Sequence, residues 1–153
     1  MSTIAFMNAR LIDPASGYDE TGHLLVKDDL IADFGPTLFK DGTPSDVEII
    51  ECNGKVLCPG LIDMRVFTGE PGAEHRETLG SASQAAAAGG VTSIIVMPNT
   101  TPVIDDVALV DFIARRARDT AIVRVHPMGA LTKGLRGEEM TEMGLLGEAG
   151  AVA

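Results

Sequence analysis

The sequence predicts an α/β protein in which a short all-β segment precedes repeated strand–helix units. Residues 3–58 contain short apolar runs separated by turn residues, which is typical of a small β-sandwich. From residue 59 onward, apolar runs of strand length alternate with longer stretches of helical pattern. This alternation is typical of parallel βαβ units. We therefore predict two domains, residues 1–58 and residues 59–153.

The first domain is predicted to be built from short strands joined by tight turns. The strands are expected at residues 3–9, 11–12, 22–27, 30–35 and 47–51. Asn53-Gly54 predicts a hairpin turn into residues 55–57. His23 is expected at the surface. Cys52 and Cys58 have no metal-binding spacing and are expected to be small buried residues.

The second domain opens with Pro59-Gly60, a turn signal, and an apolar run at residues 61–67. This run lacks polar alternation until its end, so we expect a strand buried on both faces. Glu74 or Thr78 is expected to cap the first helix or lie in its first turn. Helices are predicted at residues 77–88, from residue 105 or 106 to residue 118, and at residues 138–149. Strands are predicted at residues 91–97 and 121–126, and a further strand is predicted to begin at residue 151.

Three such units and the start of a fourth strand make about half of an eight-stranded barrel, which takes about 250 residues. Half a barrel leaves the edge of a parallel sheet unpaired, which is unfavourable for an isolated chain. We therefore expect the 153 residues to be a fragment of a longer protein. A truncated product and a chain completed by another copy are the alternatives.

The composition excludes several classes of partner. The net charge is −10, and the acidic residues are spread along the chain. Nucleic acid and anionic membranes are therefore not expected as partners, because phosphate binding needs a basic surface. The N-terminus lacks the pattern of a signal peptide, and no apolar run approaches the length of a membrane span. We expect a cytoplasmic protein.

The segment PGLIDMRVFTGEPG, residues 59–72, resembles the opening barrel strand of the amidohydrolase superfamily, in particular that of the dihydroorotases. In that family the segment typically reads PGLIDxHxHxREPG. Its two histidines bind the catalytic metal, zinc in active members, and its arginine binds the substrate carboxylate. In this sequence the resemblance places Arg65 and Phe67 at the two histidine positions and Gly69 at the arginine position.

These replacements argue against a metal at this strand. Residues i and i+2 of a strand face the same side, so the family motif brings two imidazoles together. Arginine stays protonated and phenylalanine has no lone pair, so neither Arg65 nor Phe67 can replace a zinc ligand. We therefore expect no cofactor in this chain. Arg65 is expected to pair with Asp63 or Glu70, and Phe67 is expected to pack.

Two further residues are candidates for a site. MPNTxPxxD, from residue 97, is a signature of dihydroorotases and allantoinases, and in dihydroorotases its asparagine, here Asn99, contacts the substrate. The alternative role of Asn99 and Thr100 is to cap and turn the loop. His126 ends the third strand and is the best remaining acid–base candidate, although it lacks a partner in the sequence. His75 is expected at the surface.

The resemblance implies a dihydroorotase-like amidohydrolase homologue of pyrimidine biosynthesis with a TIM-barrel fold. Because the metal and substrate positions have changed, we expect it to be catalytically inactive. Some bacterial homologues of this kind are structural partners of aspartate carbamoyltransferase, so this partner and a homo- or hetero-oligomer are expected here. The alternatives are an active, metal-dependent cyclic amide hydrolase with a rearranged site and a non-functional fragment.

Overall fold

The computed structural model describes residues 2–152, which form two compact units, residues 2–59 and 60–152. The strands are β1 Thr3–Asp13, β2 Tyr18–Lys27, β3 Leu30–Gly35, β4 Glu48–Glu51, β5 Val56–Leu57, β6 Leu61–Val66, β7 Val91–Val96 and β8 Arg124–Pro127. The helices are α1 Leu79–Ala88, α2 Val107–Thr120 and α3 Met143–Glu148. None of the described helices is long and apolar enough to span a membrane.

The first unit is a single five-stranded sheet. Its order is β3-β2-β1-β4, and β5 also pairs with β1. The second sheet of the predicted sandwich is not formed by residues 2–59. β1 is one continuous strand where two were predicted, and its pairing with β2 shifts register between Phe6 and Ala9. Asn8 lies within this irregular stretch, with a φ of 55°.

The hairpin predicted at Asn53-Gly54 is wrong, because β4 and β5 both pair with β1 in parallel. The two residues do form a tight turn, with positive φ angles of 50° and 77°. The backbone N–H of Gly54 donates to the carbonyl oxygen of Asn8 at 2.7 Å. The turn therefore lies beside the irregularity of β1, and the chain then continues along the same partner strand.

Burial also departs from two expectations in the first unit. Cys52 is half-buried and Cys58 is exposed, so the prediction that both cysteines are buried is wrong. Cys58 follows β5, beyond the paired part of the sheet. His23 is half-buried rather than fully at the surface, and its Nδ1 accepts a hydrogen bond from the backbone N–H of Asn8 at 3.2 Å.

The second unit is a parallel sheet of order β6-β7-β8 with helices between successive strands. An isolated parallel bridge between Met128 and Val152 extends this pattern where the fourth strand was predicted to begin. The buried core lies between the sheet and the helices and consists of Leu79, Ile94, Val96, Ile104, Val110, Ile113 and Leu146. This is the arrangement of successive βα units in a barrel.

Two predictions for this unit are wrong. β6 is largely exposed rather than buried on both faces. The strand pairs with β7 along one edge, and no described strand pairs with its other edge. The third helix spans Met143–Glu148 instead of residues 138–149. The residues before it are used elsewhere, since Met140 forms a β-bridge with Thr132 and the hydroxyl of Thr141 donates to the carbonyl of Ala130 at 2.7 Å.

Candidate functional site

The candidate site lies on the face of the β6-β7-β8 sheet opposite the helices. Val66, Ile94, Val96 and Val125 belong to or pack against the core on the helix side. Because side chains alternate along a strand, their neighbours face the other way. We call this second side the open face and define it by Arg65, Ile95, Met97 and His126. In a closed barrel the corresponding face lines the interior.

A register shift in β6 brings Arg65 to the level of Ile95, at the edge of this face. Asp63 pairs with Ile94 and Val66 pairs with Val96, so the two residues between Asp63 and Val66 stand opposite the single residue Ile95. Such a bulge redirects the side chains of the bulged strand and is frequent beside functional sites.

Ile95 in turn pairs with His126 on β8. Arg65, Ile95 and His126 therefore lie at one level across three strands, and the outer two backbones are about 10 Å apart.

The predicted ion pair of Arg65 is wrong. Its Nε donates to the sulfur of Met97 at 3.3 Å, and only its backbone N–H contacts Asp63, at 3.0 Å from Oδ1. Glu70, the other predicted partner, instead pairs with Arg116. Among residues 2–152 the guanidinium of Arg65 therefore forms no ion pair, although the chain carries an excess of acidic residues.

The side chains present do not fit the family's zinc. Phe67 follows β6 and remains 40% exposed, so it packs only in part. Neither its phenyl ring nor the guanidinium of Arg65 has a lone pair for a metal. No group of three or more His, Cys, Asp or Glu side chains within residues 2–152 could hold a metal ion.

Gly69, at the family's arginine position, is buried in the loop after β6 with a φ of 71°. A Cβ atom added here would lie 2.7 Å from the carbonyl oxygen of Ala73 and 3.1 Å from that of Glu77. Residues other than glycine are strained at such a φ, and the contact adds a clash. The local backbone therefore favours glycine at this position.

The other candidates lie on or near the same end of the sheet. Asn99 follows β7 and its side chain is exposed, whereas the neighbouring Thr100 is buried and donates to the carbonyl of Pro102 at 2.7 Å. Thr100 thus holds the loop, and substrate contact by Asn99 stays a prediction. His126 is half-buried on β8, and His75 is exposed in the loop before α1.

Glu70 was predicted from the sequence only as a partner of Arg65, and its contacts with two helices were missed. Its side chain is only 3% exposed. One carboxylate oxygen accepts from the backbone N–H of Leu79, the first residue of α1, at 2.8 Å, and the other accepts from Nε of Arg116 at 2.6 Å. This carboxylate raises the pKa of Arg116, chiefly through their hydrogen bond. Glu70 thus joins the loop after β6 to both α1 and α2.

The comparisons with known proteins show the family of this chain. The model of the dihydro-orotase-like family matches residues 54–153. This chain therefore belongs to that family, within the amidohydrolase superfamily.

Among curated relatives, the chain is 46% identical over 151 residues to a dihydroorotase of Ehrlichia chaffeensis, covering 98% of this chain and 33% of the relative. It is 47% identical over 150 residues to a dihydroorotase of Wolbachia sp. subsp. Brugia malayi, and this match covers 97% of this chain and 33% of that relative. The chain thus spans about a third of the length of these relatives.

Solved structures support the same fold. The L-hydantoinase (dihydropyrimidinase) from Arthrobacter aurescens superposes with a TM-score of 0.82 at 25% identity, over 99% of this chain and 32% of that one. A crystal structure of a dihydroorotase gives a TM-score of 0.59 at 15% identity, over 97% of this chain and 39% of that one. The predicted α/β fold, with the first units of an amidohydrolase TIM barrel, is confirmed.

Proposed function

We propose that this dihydroorotase-like chain belongs to a catalytically inactive protein that serves as a structural partner of aspartate carbamoyltransferase. The observation that carries the proposal is the pair Arg65 and Phe67, which occupy the i and i+2 positions where the family motif places two metal-binding histidines. The fold around them is kept, while the groups that would hold the metal are replaced.

The chemistry of the family explains why this replacement matters. A bound metal lowers the pKa of its water and so supplies a nucleophile for opening a cyclic amide. Arg65 cannot hold that metal because its guanidinium stays protonated, and its Nε is directed at Met97. The glycine backbone at position 69 also disfavours the arginine that binds the substrate carboxylate in the family. Both metal binding and substrate binding are therefore impaired.

A role as a partner is supported by the surface after β8. Among residues 2–152, which span about a third of the length of the relatives, large apolar side chains are exposed at Leu131, Leu135, Met140, Met143 and Leu145. Leu131 lies close to residue 140 in space, since the backbone N–H of Thr141 donates to the carbonyl of Leu131 at 3.1 Å. Groups of exposed apolar side chains are frequent at protein–protein contacts. A chain that keeps its core and loses its metal ligands fits a role exercised through its surface.

A specific observation favours a second candidate, an active cyclic amide hydrolase with a rearranged metal site. The curated relatives at 43–48% identity are named dihydroorotases. An active protein would need metal ligands other than Arg65 and Phe67, and His75 and His126 are the histidines that the second unit offers.

Metal content and hydrolysis of dihydroorotate, measured on the protein purified from its own cells, separate the two candidates. We expect less than one tenth of an equivalent of zinc and no turnover above a buffer blank. The variant Arg65→His/Phe67→His is the matched control, because it restores the two imidazoles and should raise zinc binding. One equivalent of zinc with turnover in the unaltered protein would contradict catalytic inactivity.

A further inference from the structure

The open face carries positive charge although this chain is strongly acidic. The chain has a net charge of −10, yet the guanidinium of Arg65 has no acidic partner among residues 2–152. Asp63, its neighbour in sequence, accepts from the backbone N–H of Arg65 rather than from the guanidinium. Arg124 lies two residues before His126 on β8 and therefore on the same face. The open face thus holds two arginines and a histidine.

The side chain of Arg65 makes its one hydrogen bond within residues 2–152 through Nε rather than through its terminal nitrogens. Its Nε donates to the Met97 sulfur at 3.3 Å, which directs the guanidinium towards β7. The two terminal NH₂ groups remain as a parallel pair of donors. Such a fork matches the two oxygens of a carboxylate or phosphate.

His126 supplies a second donor at the same level of the sheet. Ile95 lies between Arg65 and His126 in the strand register and provides a half-buried apolar floor. With the outer backbones about 10 Å apart, the two side chains can approach a ligand of a few atoms from opposite sides. An apolar floor strengthens a charged hydrogen bond because it lowers the local dielectric constant.

We propose that Arg65 and His126 bind a small oxyanion, a carboxylate or a phosphate, on the open face. The site rests on the proposed function, since it takes the place of the family's metal. The anion accepts hydrogen bonds from the guanidinium fork of Arg65 and from an imidazole N–H of His126, and it undergoes no reaction. Arg124 adds a second positive charge to the open face. It contributes less to anion binding than His126 does, because it lies two residues earlier on β8 and so farther from the anion.

The test is calorimetric titration of the metal-free protein, treated with a chelator, with sodium succinate and with inorganic phosphate at constant ionic strength. We expect saturable binding that weakens with added salt. Arg65→Gln should weaken it about ten- to hundredfold, the worth of a charged hydrogen-bonded pair. Arg118→Gln, an exposed arginine on α2, is the matched control and should leave binding unchanged. The separate titrations distinguish the two ligands: saturable binding of succinate alone identifies a carboxylate site, and saturable binding of phosphate alone identifies a phosphate site.

A spectroscopic measurement covers the case in which Arg65→Gln is unstable. In protein labelled at methionine methyl groups, the anion should shift the Met97 signal and leave that of Met7, in the first unit, unmoved. Absence of saturable binding, or binding that Arg65→Gln leaves unchanged, would overturn this site alone. Anion binding that needs added zinc would overturn the proposed function as well.

Discussion

At the scale of single residues, the resemblance to the pattern PGLIDxHxHxREPG singles out three positions, Arg65, Phe67 and Gly69. Neither Arg65 nor Phe67 offers a lone pair to a metal, and Gly69 has no side chain that could bind a carboxylate. Arg65 and Phe67 differ from the pattern in their chemistry alone. Gly69 also differs in conformation, because it has a positive φ and a Cβ atom added there would touch backbone atoms. Restoring the arginine alone is therefore not expected to restore binding.

Gly69→Ala should destabilise the protein more than Gly137→Ala does. Both glycines have similar positive φ angles, 71° and 75°, but a Cβ at Gly137 would meet nothing within 4 Å. We expect about 1 kcal/mol for Gly137→Ala and about 2–3 kcal/mol for Gly69→Ala, because the second adds a clash to the conformational cost. Urea unfolding followed by circular dichroism measures both. Equal losses would show that the loop relaxes around the added methyl group.

Glu70→Gln should destabilise the second unit by about 2 kcal/mol, because it removes the charge from two hydrogen bonds of a buried carboxylate. The loss is limited by Arg116, whose side chain is 47% exposed and can turn to solvent. Glu138→Gln, at an exposed carboxylate, is the control and should change little. Thermal unfolding compares the three proteins, and a Glu70→Gln midpoint equal to that of the control would refute the bridging role.

At the scale of secondary-structure elements, the start of α1 is set by a local signal. The hydroxyl of Thr78 accepts from the backbone N–H of Ser81 at 3.1 Å, and the Ser81 hydroxyl accepts in return from the backbone N–H of Thr78 at 3.0 Å. This reciprocal capping box satisfies two backbone donors that the helix itself leaves unpaired.

Thr78→Ala should therefore cost about 1 kcal/mol of stability, the usual worth of an N-cap side chain. Thr78→Ser keeps the hydroxyl and should cost only a few tenths of that. The measurement is the midpoint of chemical unfolding for the two variants beside the parent. If serine and alanine were equally destabilising, the hydroxyl would not be the stabilising group.

Elements governed by local chemistry were predictable from the sequence. Asp106 caps α2, Gly89 follows the last residue of α1, and residues 91–96 form a strand, all at or within a residue or two of the predicted places. Helix caps and apolar runs depend on only a few neighbouring residues, so they can be recognised from a single sequence.

Features that depend on distant partners were not predictable. Asn53-Gly54 forms the turn that its residues favour. The strands on either side of this turn, β4 and β5, do not pair with each other, because both pair with β1, which lies 40 or more residues earlier in the sequence. The contact of Glu70 with Arg116 also spans 46 residues and leaves no local signature. Within the candidate site, the alignment of Arg65 with the family motif was visible in the sequence, whereas its contact with Met97 depends on the strand register.

At the scale of the whole molecule, the two units are built by different rules. The first is a mixed sheet in which the long strand β1 pairs with β2 in antiparallel and with β4 and β5 in parallel, and the second is a parallel sheet covered by helices on one face. The second unit leaves its other face, with Arg65 and His126, without covering helices in the described residues. The proposed anion site lies on that open face and the proposed partner surface lies after β8.

The most direct test of the proposed function is native mass spectrometry of the protein purified from its own cells, because one spectrum reports chain length, bound metal and partners together. We predict a metal-free protein in a complex with an aspartate carbamoyltransferase subunit. A zinc-loaded homo-oligomer without that subunit would contradict the proposal, and would direct attention to His75 and His126 as replacement ligands.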